Sequence, residues 1–399
     1  MMEKNYTNGE KERMAEQALN AMVDELDQEH LPTANIVVAG ITGTGKSTLL
    51  NAVFGDDLAE TGKGRPVTEH IDEYESSNIP IHIWDTVGLE LDSAKTKESI
   101  NSIKQIIANK AGITNWFDHV HAIWYCINSG SSRYQGAELE FIKSLHSVGV
   151  PFIIVLTQCI GDEEEINAFE DEIRKINAEM GMSDIDIVQV CAKEFKTRRY
   201  TIPAFGLEDL VDKTIKKLPN FIKSGFAAAQ KVSKFQKRLQ CEEIIYSYIQ
   251  KAKEGFWDKV PIVNIFQASS KIMDMLQKIG EMYNTQIPRE GIENIIEKSH
   301  LNGDNIFHGL LNPMNKGYYQ KVMTLLSLEK YDGFEVNIGD LRKNERVAVM
   351  VAFYGYTFIS AIEELWEELT EEQLKDVQMV CSELLRHIND ILKDPNRKK

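Results

Sequence analysis

Apolar residues gather in short runs through the first half of the chain and in long, helically spaced stripes through the second. The runs at 35–39, 81–84, 120–127, 151–156 and 185–190 have the length of buried strands. Segments with helical spacing separate most of them, at 46–54, 94–109, 136–147, 163–179 and 207–223. Strands alternating with helices predict a mostly parallel sheet covered on both faces. The weaker run Ile71-Asp72-Glu73-Tyr74 alternates and reads as an edge strand pairing with 81–84. Ahead of the first run, Met14, Leu19, Met22 and Leu26 lie near one face of a predicted helix over about 10–30, ending at Leu31-Pro32.

After about residue 225 the strand-like runs stop. Ile265, Ala268, Ile272, Leu276, Ile279 and Tyr283 fall at helical spacing, as do Val347, Val351, Tyr354, Phe358, Ile362 and Leu365. A third set, Leu374, Val377, Cys381, Leu384, Ile388 and Ile391, follows Thr370-Glu371-Glu372-Gln373, which reads as a capping box. The polar stretch 286–345 reads as loops and shorter helices. The expected organisation is a helical extension over 1–33, an α/β domain over 34–224 and an all-α domain over 225–399.

Composition narrows this picture in three ways. A chain of 399 residues has room for two or three domains with real cores. Its net charge of −16 argues against a general nucleic-acid binder, which needs surplus cations. The five cysteines are scattered without C-x-x-C spacing, which suits a reducing cytosol and a cytoplasmic location. The N-terminal stretch is polar and charged, unlike the apolar core of a signal peptide. The longest uncharged run in the second half, Val347 to Ile362, is shorter than the roughly 20 residues of a spanning helix.

The candidate chemistry begins at "GITGTGKST", Gly40 to Thr48, between a predicted strand and a predicted helix. This is the setting that a phosphate-cradling loop requires. Glycines at 40, 43 and 45 let the backbone curl so that N–H groups face inward, and the helix start adds positive field. Gly40, Thr42, Gly43, Thr44, Gly45, Lys46, Ser47 and Thr48 are therefore candidate ligands of a nucleoside triphosphate. Lys46 is placed to reach the β- and γ-phosphates and Ser47 to bind Mg²⁺. The second element, Asp85-Thr86-Val87-Gly88, follows the run 81–84. Asp85 is a candidate Mg²⁺ ligand through water, and Gly88 a backbone donor near the γ-phosphate. Between them, Thr68 of Gly64-Arg65-Pro66-Val67-Thr68 is a candidate second Mg²⁺ ligand. Lys46, Thr68 and Gly88 form the candidate catalytic set.

These elements, in this order and spacing, resemble the TRAFAC GTPases, and their Era-like branch in particular, over about residues 34–220. The resemblance implies the three-layer P-loop GTPase fold, GTP or GDP with Mg²⁺, and two base-recognition motifs. A short Ala-Lys motif is matched by Ala192-Lys193, where a backbone N–H would meet the guanine oxygen. The other motif, Asn/Thr-Lys-x-Asp, is matched only at Thr157. Gln158 stands where the family has the lysine that covers the base, and Ile160 where it has the aspartate that accepts two hydrogen bonds from guanine. Asp162 could substitute if the loop is reshaped. Guanine remains the expected base on the overall pattern. Leu89 occupies the position of the water-orienting glutamine of Ras-like members, so slow hydrolysis is expected. Gly43 stands where some relatives have a potassium-binding asparagine. The segments 260–283 and 348–366 resemble a helical domain of unknown function that follows Era-like domains in some bacterial proteins.

Other residues have blander readings. Arg133 reads as a loop anchor before an arginine finger, His119 and His121 as strand histidines, and Lys231, Lys234, Lys237 and Arg238 as a solvated basic face. Trp366, among Glu363, Glu364, Glu367 and Glu368, reads as part of a core helix. The leading expectation is a cytosolic GTP-dependent switch in which the helical part serves as an effector-binding or homodimer surface. Peripheral membrane contact in a dynamin-like machine is the runner-up. A nucleotide-binding scaffold with negligible turnover and a small-molecule kinase complete the set.

Overall fold

The computed structural model describes residues 30–55, 65–68, 71–76, 79–86, 93–111, 116–131, 134, 136–198, 200–253, 269–285, 287–299 and 342–393. The helix expected over 10–30 lies almost wholly outside them. The chain divides into two compact units, one of them Pro32–Gln236 and the other Lys237–Lys399, to which the short segment ending at Leu31 also belongs.

The first unit is built on β1 (Ala34–Gly40), α1 (Lys46–Phe54), β2 (Arg65–Thr68), β3 (Ile71–Glu75), β4 (Ile81–Thr86), α2 (Ser93–Ala111), β5 (Ala122–Asn128), α3 (Gly136–His146), β6 (Phe152–Thr157), α4 (Glu163–Glu179) and β7 (Asp186–Gln189). A small hairpin of β8 (Phe195–Lys196) and β9 (Thr201–Ile202) follows, then α5 (Leu207–Lys217) and α6 (Asn220–Ala229). Seven strands form one sheet in the order β2-β3-β4-β1-β5-β6-β7. The pairs β4/β1, β1/β5, β5/β6 and β6/β7 are parallel, while β2/β3 and β3/β4 are antiparallel. The fold is an α/β core with a mostly parallel sheet, followed by helical segments.

Burial on both faces explains the continuous apolar runs. All residues of β1 and of β6 are buried. Successive side chains leave opposite faces, so Val37, Ala39, Ile123, Tyr125 and Ile127 join the core shared with Ile103 of α2, Phe141 of α3 and Ile173 of α4. On the other face Trp124 stacks on Phe54 of α1 at 5.9 Å between centroids and meets Phe226 of α6 edge-on. Its indole N–H donates to Thr214 of α5 at 3.1 Å, so the one polar atom of this ring is satisfied.

Two boundaries differ from the sequence reading. Ile71–Glu75 does pair with 81–86, but Arg65–Thr68 lies outside it, so β3 is not the edge of the sheet. The segment 207–223 is two helices, broken at Leu218-Pro219, because proline has no N–H to donate back into a preceding turn.

In the second unit, the described elements after β9 remain helical: α7 (Lys234–Lys253), which begins at the end of the first unit, α8 (Ser269–Met282), α9 (Arg289–Lys298), α10 (Lys343–Glu368), α11 (Glu371–Leu374) and α12 (Val377–Lys393). The Thr370/Gln373 capping box is present, but it starts the short α11. Asp376 accepts the N–H groups of Gln378 and Met379 and so opens α12 separately. The expected solvated face over 231–238 is corrected at two positions. Lys237 is fully buried, donating to the Met282 carbonyl at 2.7 Å and facing the Trp366 ring at 6.0 Å. Arg238 pairs with Glu363 and Glu242. Buried cations require such acceptors, and the acidic run around Trp366 supplies one of them. Within α10, Val347–Glu368 is long and apolar enough to cross a membrane by length and composition, but 89% of its most apolar stretch is buried inside the protein.

Trp124→Ala is expected to lower the stability of the first unit by about 3–5 kcal/mol, because an aromatic core is emptied and the Thr214 hydroxyl loses its donor. Urea denaturation followed by circular dichroism measures this. A loss below about 1 kcal/mol would show that this face is not a packed core.

Candidate functional site

β1 lies between β4 and β5, and the chain leaves it toward opposite sides of the sheet. Open α/β sheets bind ligands at such a switch point, outside the carboxyl ends of the strands. A cleft of about 680 Å³ lies there. Its walls come from the loop after β1, from β3 and β4, and from the segments that follow β6 and β7.

The loop after β1 is shaped by its glycines. A Cβ at Gly40 would stand 2.5 Å from the Cys126 carbonyl oxygen and 3.0 Å from Thr44 Oγ1, so only glycine lets the loop leave the sheet there. Gly45 caps α1 at φ 86°, a left-handed conformation, and no side chain accepts from the first helical N–H groups. Those groups and the positive end of the helix dipole are left for a ligand. Lys46 is 8% exposed, and its ammonium donates to the Gly40 carbonyl at 3.0 Å and the Ile41 carbonyl at 3.4 Å. Thr44 donates to the Ile41 carbonyl and fixes the turn. Ser47 is exposed at the first turn of α1.

Asp85, near the end of β4, is 7% exposed, and its Oδ1 has no hydrogen-bond partner among the described residues. Burial pushes its carboxyl up to about 7, Lys46 opposes that, and Asp72, its register partner on β3, adds to it. Tyr74 is raised by burial and by the same two carboxylates. An orphaned, buried carboxylate oxygen in the same cleft as an exposed serine hydroxyl fits a hard divalent cation, whose ligands are oxygens.

The segment after β6 is tied to the phosphate loop. The Thr157 hydroxyl lies 2.5 Å from the Thr44 carbonyl and 3.1 Å from that of Ile127. Gln158 takes the left-handed conformation, φ 54°, which turns its side chain back over the loop. Its amide Nε2 donates to the Gly43 carbonyl at 2.8 Å and would lie 3.5 Å from a Cβ at Gly45. Asp162 does not replace the absent aspartate of the base motif. Its Oδ1 accepts the N–H groups of Glu164 and Glu165 as the cap of α4, and the residue does not line the cleft.

The cleft thus gathers Thr42, Gly43, Gly45, Lys46, Ser47, Thr48, Asp85, Thr157, Gln158, Ala192 and Lys193. Gly40 and Thr44 shape the loop from beneath. Thr68 lies in β2, its side chain outside the described residues; Gly88, Leu89 and Arg133 lie outside them altogether. His119 and His121 just precede β5 rather than lying in it, and His121 accepts the Asn35 N–H through Nδ1 at 2.9 Å, a structural bond to β1. Sequence reasoning missed Asp72, Tyr74 and Phe195, which also line the cleft. Asp72 and Tyr74 share one face of an alternating strand and were legible as a pair, whereas nothing in the sequence around Phe195 points to a site.

Residues 35–158 match the family described as 50S ribosome-binding GTPase. The chain is 30% identical over 132 residues to the tRNA modification GTPase MnmE of Dichelobacter nodosus, covering 30% of this chain and 26% of that one. It is 44% identical over 73 residues to the MnmE of Bordetella petrii, covering 16% of this chain and 15% of the other. Residues 35–158 lie in a P-loop GTPase domain. This GTPase domain spans about a quarter or less of the length of these relatives. Among solved structures, a bacterial selenocysteine-specific elongation factor EF-Sec gives a TM-score of 0.32 at 23% identity, over 47% of this chain and 29% of that one. The apo elongation factor SelB of Methanococcus maripaludis gives 0.31 at 17%, over 48% and 34%.

Gly40→Ala is expected to destabilise the GTPase domain by about 1–3 kcal/mol, since the added methyl meets backbone that cannot yield. Thermal unfolding of the purified chain checks this, and an unchanged midpoint would mean the loop has slack there.

Proposed function

We propose that the chain is a GTP-dependent molecular switch that hydrolyses the β–γ phosphoanhydride slowly and conveys its nucleotide state to the helical second unit, which serves as an effector-binding or self-association surface. The observation that carries this reading is the single cleft in which the phosphate loop, Asp85 and the segments after β6 and β7 meet. Lys46 is suited to hold the β- and γ-phosphates, exchanging its two loop carbonyls for phosphate oxygens. The open N–H groups of the loop and of the first turn of α1 would hold the same phosphates. Ser47 and Asp85, with Thr68 of β2, would hold Mg²⁺, which when bound neutralises charge developing on the phosphate oxygens. Gly88 would report the γ-phosphate through its backbone N–H. Leu89 has no polar atom with which to orient water, which supports slow turnover.

Lys46→Ala is expected to weaken binding of GTP and GDP by about 10- to 100-fold, the worth of one charge-assisted contact to phosphate. Calorimetric titration in magnesium measures it, and an unaltered affinity would remove the phosphate loop from the account. Single-turnover hydrolysis by the isolated chain is expected below about 0.01 per second at 25 °C. A rate near 1 per second would contradict the switch reading and call for a water-orienting group within the chain.

A further inference from the structure

The side of the cleft formed by the segments after β6 and β7 is lined by Gln158 and Ile160, by Ala192 and Lys193, and by Phe195 of β8. Among the described residues that line it there is no carboxylate. The two acids that line the cleft, Asp72 and Asp85, sit opposite each other on β3 and β4, at the Lys46 end. Asp162 is engaged as a helix cap, and the Gln158 amide N–H is engaged with Gly43. Ile160 is half-buried and apolar. What remains is donor and apolar surface together with the neutral Gln158 amide oxygen, a weaker acceptor than a carboxylate. The N–H of Ala192 has no acceptor among the described residues. Phe195 is half-buried and held in place by pairing of β8 with Ile202 of β9.

Purines differ in what they present to such a surface. Guanine carries an oxygen at position 6 and an amino group at position 2. Hypoxanthine carries the same oxygen and lacks that amino group, while adenine carries an amino donor at position 6. A pocket rewards the 2-amino group only where an acceptor awaits it, and a donor facing an amino group leaves both unpaired. We propose that this end of the cleft accepts 6-oxopurine nucleotides as a class, guanine and hypoxanthine alike. The Ala192 N–H reads the oxygen, and Ile160 and Phe195 hold the ring by apolar contact. The proposal rests on the nucleotide-binding reading above and specifies its base selectivity.

Displacement of fluorescently labelled GDP from the full chain in magnesium, by GDP, IDP and ADP, tests it. The expected result is GDP and IDP within about threefold of each other and ADP weaker by about tenfold or more. GDP more than about tenfold tighter than IDP overturns the proposal, as does ADP binding equal to GDP. Failure of the labelled and all unlabelled nucleotides to bind overturns the switch reading along with it, so the two failures are told apart. Ile160→Asp supplies the absent acceptor and is expected to favour GDP over IDP by about 10- to 100-fold; an unchanged ratio in a variant that still binds GDP counts against the assignment of Ile160. Phe195→Ala is expected to weaken GDP and IDP alike by about 5- to 50-fold while keeping their ratio, the scale of one base–aromatic contact, and undiminished binding removes Phe195 from the pocket.

Discussion

A lysine side chain 8% exposed at the start of a helix must be matched by oxygen. Lys46 sets that requirement, and the surrounding chain is arranged to meet it. Two carbonyls of its own loop accept from it, and the carboxylate of Asp85 influences it across the cleft. Neither arrangement is self-sufficient. The carbonyls carry only partial charge, and burial pushes the Asp85 carboxyl up to about 7 even with Lys46 opposing. A polyphosphate with a divalent cation answers both groups together, giving the ammonium its anion and the orphaned Asp85 oxygen its cation.

The sheet makes that meeting possible. With β4 on one side of β1 and β5 on the other, the helix and loop crossing from β1 leave a gap above its carboxyl end. The ends of β6 and β7 extend the gap by two strand spacings, roughly 10 Å, enough to separate the proposed phosphate end from the proposed base end. Continuous burial of β1 and β6 and the Trp124–Phe54–Phe226 packing hold these strand ends in register. Precision at the site is therefore a consequence of core packing rather than of the loops alone.

Period and breaker residues made most of the first unit legible. The strands at 34–40, 81–86, 122–128 and 152–157 follow from apolar runs, and the helix Glu163–Glu179 from helical spacing. The failures have physical causes. Helical spacing runs on through 207–223 because Leu218 and Pro219 interrupt hydrogen bonding without interrupting apolarity. Lys237 and Arg238 looked like solvent-facing cations because their acceptors, the Met282 carbonyl and Glu363, are distant in sequence. Asp162 looked available for base recognition because its alternative, capping α4, depends on where that helix begins.

The same contrast explains why the two ends of the cleft differ in legibility. The phosphate end is made chiefly of main-chain N–H groups, and its sequence requirement is mostly negative: glycine where a Cβ would strike Cys126 or forbid the left-handed turn at Gly45. Such a requirement leaves a sharp mark in sequence. The base end depends on side chains delivered by separate strands, so Gln158 can brace the phosphate loop while Ile160 changes the chemistry two residues away. On the proposed reading the cradle binds through backbone, so a substitution at Ile160 or Phe195 leaves it standing, whereas one at Gln158 removes a bond to the Gly43 carbonyl. On that reading, affinity for polyphosphate and choice of base rest largely on different parts of the chain, with Gln158 as the link between them.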